Sequence, residues 1–167
     1  MGAQKDDLRR GRSPAAGGPS ASSPIEPPQL RTARRQDSVG LAGLLGELGY
    51  RSSPEQAAER IERIEGDPAT LLIVAEVEGE LAGFIALHVQ NLVERDEPGC
   101  AVAGLVVGKR FRRQGIGELL MEAGENEARE RGGRYVVLNT AHRRADAHAF
   151  YEALGYEHSG RRYAKKL

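Results

Sequence analysis

Residues 100–133 read CAVAGLVVGKRFRRQGIGELLMEAGENEARERGG: an apolar run, a basic turn holding two glycines, and an amphipathic segment closed by a glycine pair. The uncharged run from Cys100 predicts a central strand. Residues 115–131 predict a helix, because Ile116, Leu119, Leu120, Ala123 and Ala128 recur at helical spacing and Gly132-Gly133 ends it. Between strand and helix, Gly115 and Gly117 let the backbone curl around an anion and let that anion come close without a side-chain clash. The helix start adds unpartnered N–H groups and partial positive charge, and Arg112 and Arg113 add full charges. In chemical logic this is a pyrophosphate site. Two familiar phosphate loops are excluded: no Gly-Lys-Ser/Thr follows, and the third glycine of a dinucleotide fingerprint is missing. Taken alone, the glycines also fit a tight strand-to-helix turn with no ligand.

Outward from this unit the pattern alternates between the two periods. RYVVLNT (134–140) predicts a strand, and Asp146–Leu154 a short helix with Ala147, Phe150, Tyr151 and Leu154 on one side, stopped by Gly155. YEHSGRRYAKKL (156–167) can supply one or two last strands. Upstream, LLIVAEVEGELAGFIALHV (71–89) reads as a hairpin turning at Glu78-Gly79. SSPEQAAERIERIEGD (52–67) opens with a Ser cap and Pro54, and its apolar positions are Ala57, Ile61 and Ile64. Leu41, Leu44, Leu45 and Leu48 define an earlier helix, capped by Asp37 or Ser38 and stopped at Gly49-Tyr50; QLRTARRQD before it predicts a first strand. Strands alternating with helices give an α/β domain around one mixed sheet.

The first 28 residues are rich in Gly, Pro, Ser and Ala and cannot repay the entropy of ordering, so a disordered tail is expected ahead of a domain over 29–167. The chain has 167 residues, 24 Lys plus Arg against 24 Asp plus Glu, and a single cysteine, Cys100. That length suits one domain, and the balanced charge argues against nucleic acid or a membrane surface as partner. One cysteine excludes a disulfide framework and a structural zinc of its own. No run reaches the length of a transmembrane helix. A soluble protein of a reducing, cytoplasmic compartment is expected, and a homodimer is left open.

At this point the chain resembles the GNAT superfamily of acetyl-CoA-dependent N-acetyltransferases. Its Arg/Gln-x-x-Gly-x-Gly/Ala turn is matched by Arg112, Gly115 and Gly117, and its Ala-x-x-Phe-Tyr-x-x-x-Gly-Phe/Tyr segment by Ala147, Phe150, Tyr151, Gly155 and Tyr156. The hairpin VAEVEGELAGFIAL and the helix LAGLLGELGY fit as well, so the likeness runs from about residue 29 to the C-terminus. The resemblance implies one domain whose mixed, twisted sheet splays between its central strands, with about four flanking helices. It implies a pantetheine arm on the backbone of Leu105, Val106 and Val107, a pyrophosphate on Arg113, Gln114, Gly115, Ile116, Gly117 and Glu118, and no metal. It also implies that Tyr151 protonates the departing CoA sulfur; a phenol with a pKa of about 10 is protonated at neutral pH. The competing reading makes Tyr151 a core residue on the apolar face of its helix.

Two departures stand out. The glutamate that many members carry on the fourth strand is Ala103 here, which leaves Glu94, Glu97, His88 and His142 as alternative bases, or no base at all. The family's pantetheine-contacting Asn is Arg144 here; Asn139 either substitutes for it or is an ordinary strand-end residue. The connection QNLVERDEPG carries Glu94, Asp96 and Glu97, which predicts an acidic rim to the acceptor pocket and cationic amines as acceptors. The expected function is acetyl transfer from acetyl-CoA to a primary amine of a small molecule or peptide. The alternative is a catalytically weak acyl-CoA-binding sensor, favoured by Ala103 and Arg144 and disfavoured by the retained Tyr151.

Overall fold

The computed structural model describes residues 27–160 apart from Leu92 and Glu94, together with Lys165. The expected tail therefore lies outside the described residues as far as residue 26. Of the expected last strands, residues 156–160 are described and form none, and most of the remainder lies outside.

Nine elements follow in order: β1 (Gln29–Thr32), α1 (Ser38–Leu48), α2 (Pro54–Glu65), β2 (Thr70–Val77), β3 (Glu80–Gln90), β4 (Gly99–Val107), α3 (Ile116–Glu130), β5 (Val136–Leu138) and α4 (Ala145–Ala153), with short 3-10 turns at Arg35–Asp37 and Lys109–Phe111. The strands form one sheet in the order β1-β2-β3-β4-β5. β1 to β4 are antiparallel neighbours, and β5 runs parallel to β4. This is a mixed sheet between two helical layers. On one face α1 and α2 bring Leu41, Leu44 and Ile61 against Leu72, Val74, Phe84 and Val106. On the other, α3 brings Ile116, Leu120 and Met121 against Ile85, Leu87 and Val102, and Phe150 and Tyr151 of α4 pack on its margin. Each fully buried side chain of this size stabilises the fold by about 1.5–3 kcal/mol.

Local chemistry explains the ends. Ser53 and Gln56 close a reciprocal capping box on α2: Gln56 N–H donates to Ser53 Oγ at 3.3 Å, and Ser53 N–H donates to Gln56 Oε1 at 3.0 Å. The β2–β3 turn has positive φ at both Glu78 (50°) and Gly79 (78°), as a two-residue hairpin requires. Asp37 precedes α1 as expected, but its carboxylate does not cap that helix; it turns back to Arg31 and the Arg34 N–H. The buried stripe of α3 is also rotated from the one expected. Leu119 is 37% exposed, while Met121 is buried and Gly124 takes the contact position. A Cβ on Gly124 would lie 2.9 Å from Ile85 Cδ1, so the helix seats closely on β3 along the row 116-120-124-128.

Candidate active site

β4 and β5 pair at only three positions, Cys100 with Val136, Ala101 with Val137 and Val102 with Leu138. β4 continues to Val107, so its last five residues face an opening on that side. The β3–β4 ladder steps from Ala86–Gly104 to Leu87–Val102, which makes Ala103 the extra residue of a β-bulge. The bulge reverses the alternation along the strand. Val102 faces the α3 layer before it, and Leu105 and Val107 face the same layer after it. The edge can be read from one bond: Gly108 N–H donates to Ala82 of β3 at 2.8 Å. Antiparallel alternation then directs the backbone groups of Val106 toward β3, and those of Leu105 and Val107 into the opening. Of the three residues expected to carry the pantetheine arm, Leu105 and Val107 offer outward groups. Arg112 Nε already donates to the Val107 carbonyl at 3.0 Å.

The turn before α3 combines strain with charge. Arg113 (φ 62°) and Gly115 (φ 79°) are both left-handed, and Gly115, the N-cap, has no side chain to satisfy the N–H groups of the first turn. Gly117 serves a different purpose: a Cβ there would meet Phe150 at 3.3 Å, so this glycine lets α3 approach α4. Glu47 near the end of α1 accepts the Lys109 N–H at 3.0 Å and pairs with Arg112 at 3.3 Å. Arg112 is thus a brace under the turn, and Lys109 and Arg113 are cations with no ion-pair partner among the described residues. Gln114 Nε2 donates to the Arg110 carbonyl at 3.1 Å. Ile116 is buried, and Glu118 stands in the first turn of α3.

A groove of about 1200 Å³ opens along β5, bounded by Val102–Leu105 of β4, by the β5–α4 connection, by α4 and by the end of α1. Tyr151 lines it, half-buried, with its ring edge-on to Phe150 (5.2 Å between centroids) and Tyr156 (6.0 Å). Its hydroxyl makes no hydrogen bond among the described residues. Burial holds its pKa above the usual phenol value, and the charge of Arg144 opposes the shift. Tyr156 donates to Glu125 at 2.9 Å, and burial together with that bond pushes its pKa up. Asn139, Thr140, His142, Arg143, Arg144 and His148 line the groove along the β5–α4 connection and α4. The Thr140 hydroxyl is buried without a partner. Among the described residues, no three or more His, Cys, Asp or Glu side chains gather where they could hold a metal ion, and no helix is long and apolar enough to cross a membrane.

The structure therefore brings Tyr151, Asn139, Ala103 and Leu105 to one groove, with the glycine turn outside its lining. Asp96 and Glu97 are exposed in the β3–β4 connection and do not line it; Glu94 lies outside the described residues. His88 sits on β3 away from the groove, its Nδ1 3.0 Å from Thr70 Oγ1. Sequence reasoning missed Arg143 and His148, although Arg144, His148 and Tyr151 share one helical face at i, i+4 and i+7, a spacing readable without coordinates.

The model of the acetyltransferase (GNAT) family matches residues 41–156, well over half of the chain. The chain belongs to that family. It is an acyltransferase, and the family's cosubstrate is acetyl-CoA. Among curated relatives, the chain is 32% identical over 144 residues to an aminoalkylphosphonate N-acetyltransferase of Salmonella typhimurium, covering 83% of this chain and 91% of the relative. Among solved structures, a protein from Bacillus halodurans C-125 described as a transcriptional regulator superposes with a TM-score of 0.77 at 26% identity, covering 84% of this GNAT chain and 99% of its own. An aminoglycoside N-acetyltransferase in complex with CoA superposes at 0.76 and 18% identity, covering 89% and 99%, which is a likeness of fold.

Proposed function

We propose that the chain moves an acetyl group from acetyl-CoA to a primary amine by direct attack, with Tyr151 giving its phenolic proton to the departing thiolate. One observation carries this reading: the unbonded Tyr151 hydroxyl shares a groove with Leu105, whose backbone groups face the opening beside β4. A raised pKa favours that role, because the phenol keeps its proton throughout the neutral range and past the ordinary value of about 10. The thioester arm would lie on Leu105 and Val107, and its diphosphate on the N–H groups from Arg113 to Glu118, beside the Arg113 charge.

For the acceptor we propose an amine that also carries an anion, a phosphonate, phosphate or carboxylate. Arg134, Arg143 and Arg144 line the groove without ion-pair partners among the described residues, whereas Arg129 is paired with Glu125. Guanidinium groups left open in a groove suit oxyanions. The relative named for aminoalkylphosphonates is consistent with this. The test is thiol release from acetyl-CoA with matched acceptors: an aminoalkylphosphonate, the alkylamine of equal length, and a polyamine. The phosphonate should be preferred, and Tyr151→Phe should lower kcat about 100-fold. A preferred polyamine would return the acceptor to the acidic β3–β4 connection. Coenzyme binding without transfer to any amine would favour a sensor.

A further inference from the structure

The reaction also needs a group to take the proton from the attacking amine, and we infer that His148 is that group. This rests on the transferase reading above. Ala103 supplies no carboxylate at the bulge, and His88 and Glu97 lie outside the groove. Of the groove's acids, Glu125 has both carboxylate oxygens engaged, one with Tyr156 (2.9 Å) and the other with Arg129 (3.0 Å). Glu152, Glu157 and His158 are exposed, and His142 is exposed with no hydrogen bond among the described residues.

His148 differs in being half-buried, one helical turn before Tyr151 and held in orientation. Its Nε2 lies 3.2 Å from the Ala141 carbonyl. A carbonyl oxygen can only accept, so Nε2 carries the hydrogen and the neutral ring leaves Nδ1 as a bare acceptor. A backbone carbonyl thereby fixes the tautomer of a base, as the partner of a catalytic histidine does. Among the charged and titratable groups that line the groove with it are His142, Arg143 and Arg144 of the connection, Tyr151 and Glu152 of α4, and the Glu125–Arg129 pair of α3.

With a neutral amine the protons balance. Nitrogen forms a bond to the thioester carbonyl carbon, and Nδ1 of His148 takes the N–H proton. The carbon–sulfur bond breaks, and the thiolate takes the phenolic proton of Tyr151. Amide and thiol leave, and one proton returns from the imidazolium to the phenolate through solvent.

His148→Gln is the discriminating variant, since its amide N–H can still donate to Ala141 while the side chain offers no base. With the preferred amine of the panel, kcat should fall about 100-fold while the KM for acetyl-CoA stays within about twofold. Activity within about threefold of wild type would overturn the inference. So would a raised KM for acetyl-CoA at unchanged kcat, which would make His148 a coenzyme contact. Should the variant fail to fold, His148→Ala with added imidazole replaces it: recovered turnover supports the base, and its absence counts against it. A wild type without acceptor-dependent thiol release sinks the transferase reading itself; an active wild type with an equally active His148→Gln sinks only the base.

Discussion

The two edges of the sheet use the same chemical groups to opposite ends. At the β1 edge, Asp37 accepts two bonds from Arg31 (2.7 and 2.8 Å) and one from the Arg34 N–H (2.7 Å), and Arg31 reaches Glu76 at 2.5 Å. Asp37 is the buried charge among the described residues, and its hydrogen bond to Arg31 holds its pKa below the usual carboxylate range. At the β4–β5 edge, the side chains of Arg143, Arg144 and Asn139 and the Tyr151 hydroxyl line a groove and make no hydrogen bond among the described residues. Saturated polar groups hold the fold together, and unsaturated ones hold capacity for a ligand. The difference teaches where to look for chemistry: polar partners are missing where a substrate is meant to supply them.

Substitutions at the two edges should therefore separate stability from activity. The largest stability effect is expected at the closed edge. Asp37→Asn leaves Arg31 with one carboxylate fewer in a largely buried site and should cost about 3 kcal/mol of folding free energy. For a domain of this size that lowers Tm by roughly 6–12 °C, read by calorimetry, with kcat unchanged at temperatures where the variant is folded. The pH dependence has a definite sign. A carboxylate with a depressed folded pKa stabilises above its unfolded value of about 3.9, and that contribution is lost as the pH falls through the lower folded value. The gap between wild type and variant should narrow on acidification below about pH 4. An equal gap at pH 3 and pH 7 would break the assignment.

The open edge should answer in the other currency. Replacing both Arg143 and Arg144 by Gln should lower kcat/KM for the anion-bearing amine about tenfold, near 1.4 kcal/mol, and leave the alkylamine without an anion unaffected. Stability should change by no more than about 0.5 kcal/mol, because exposed arginines without partners contribute little to folding. A loss shared equally by both amines would mean that these side chains serve the coenzyme or the fold.

How far each edge was legible from sequence follows from the physics that sets it. Local signals were read well: the Ser53 cap, the Glu78-Gly79 turn, and the strand-turn-helix of residues 100–130 depend on neighbours in the chain. The two family motifs gave the fold by resemblance. What stayed hidden depends on register and tertiary direction. Periodicity could not say that Gly124 would sit against Ile85 and rotate the stripe of α3 away from Leu119. Composition marked Asp96 and Glu97 as a charged loop, but which side of the sheet that loop joins is decided by strand pairing. Nor does a sequence reveal that Arg112 would pair with Glu47, since that bond closes across 65 residues.

That brace supplies the smallest and most pointed prediction, because it is a partnered polar cluster at the functional edge. Glu47 is 28% exposed and Arg112 51%, so their ion pair is screened and should contribute at most about 0.5 kcal/mol to folding. Its geometry matters more than its energy. Glu47 fixes the first N–H after Gly108, and Arg112 fixes the last outward carbonyl of β4. Between them they set where the turn begins relative to the strand that would carry the thioester arm. Glu47→Gln keeps an acceptor for Lys109 but loses the charge. It should raise the KM for acetyl-CoA about threefold, with Tm and the KM for the amine nearly unchanged. Arg112→Gln should do the same, and the double variant should be no worse than either single one, because each removes the same link. Additive losses would mean that Arg112 meets the coenzyme phosphates directly, and the brace would then be incidental to binding.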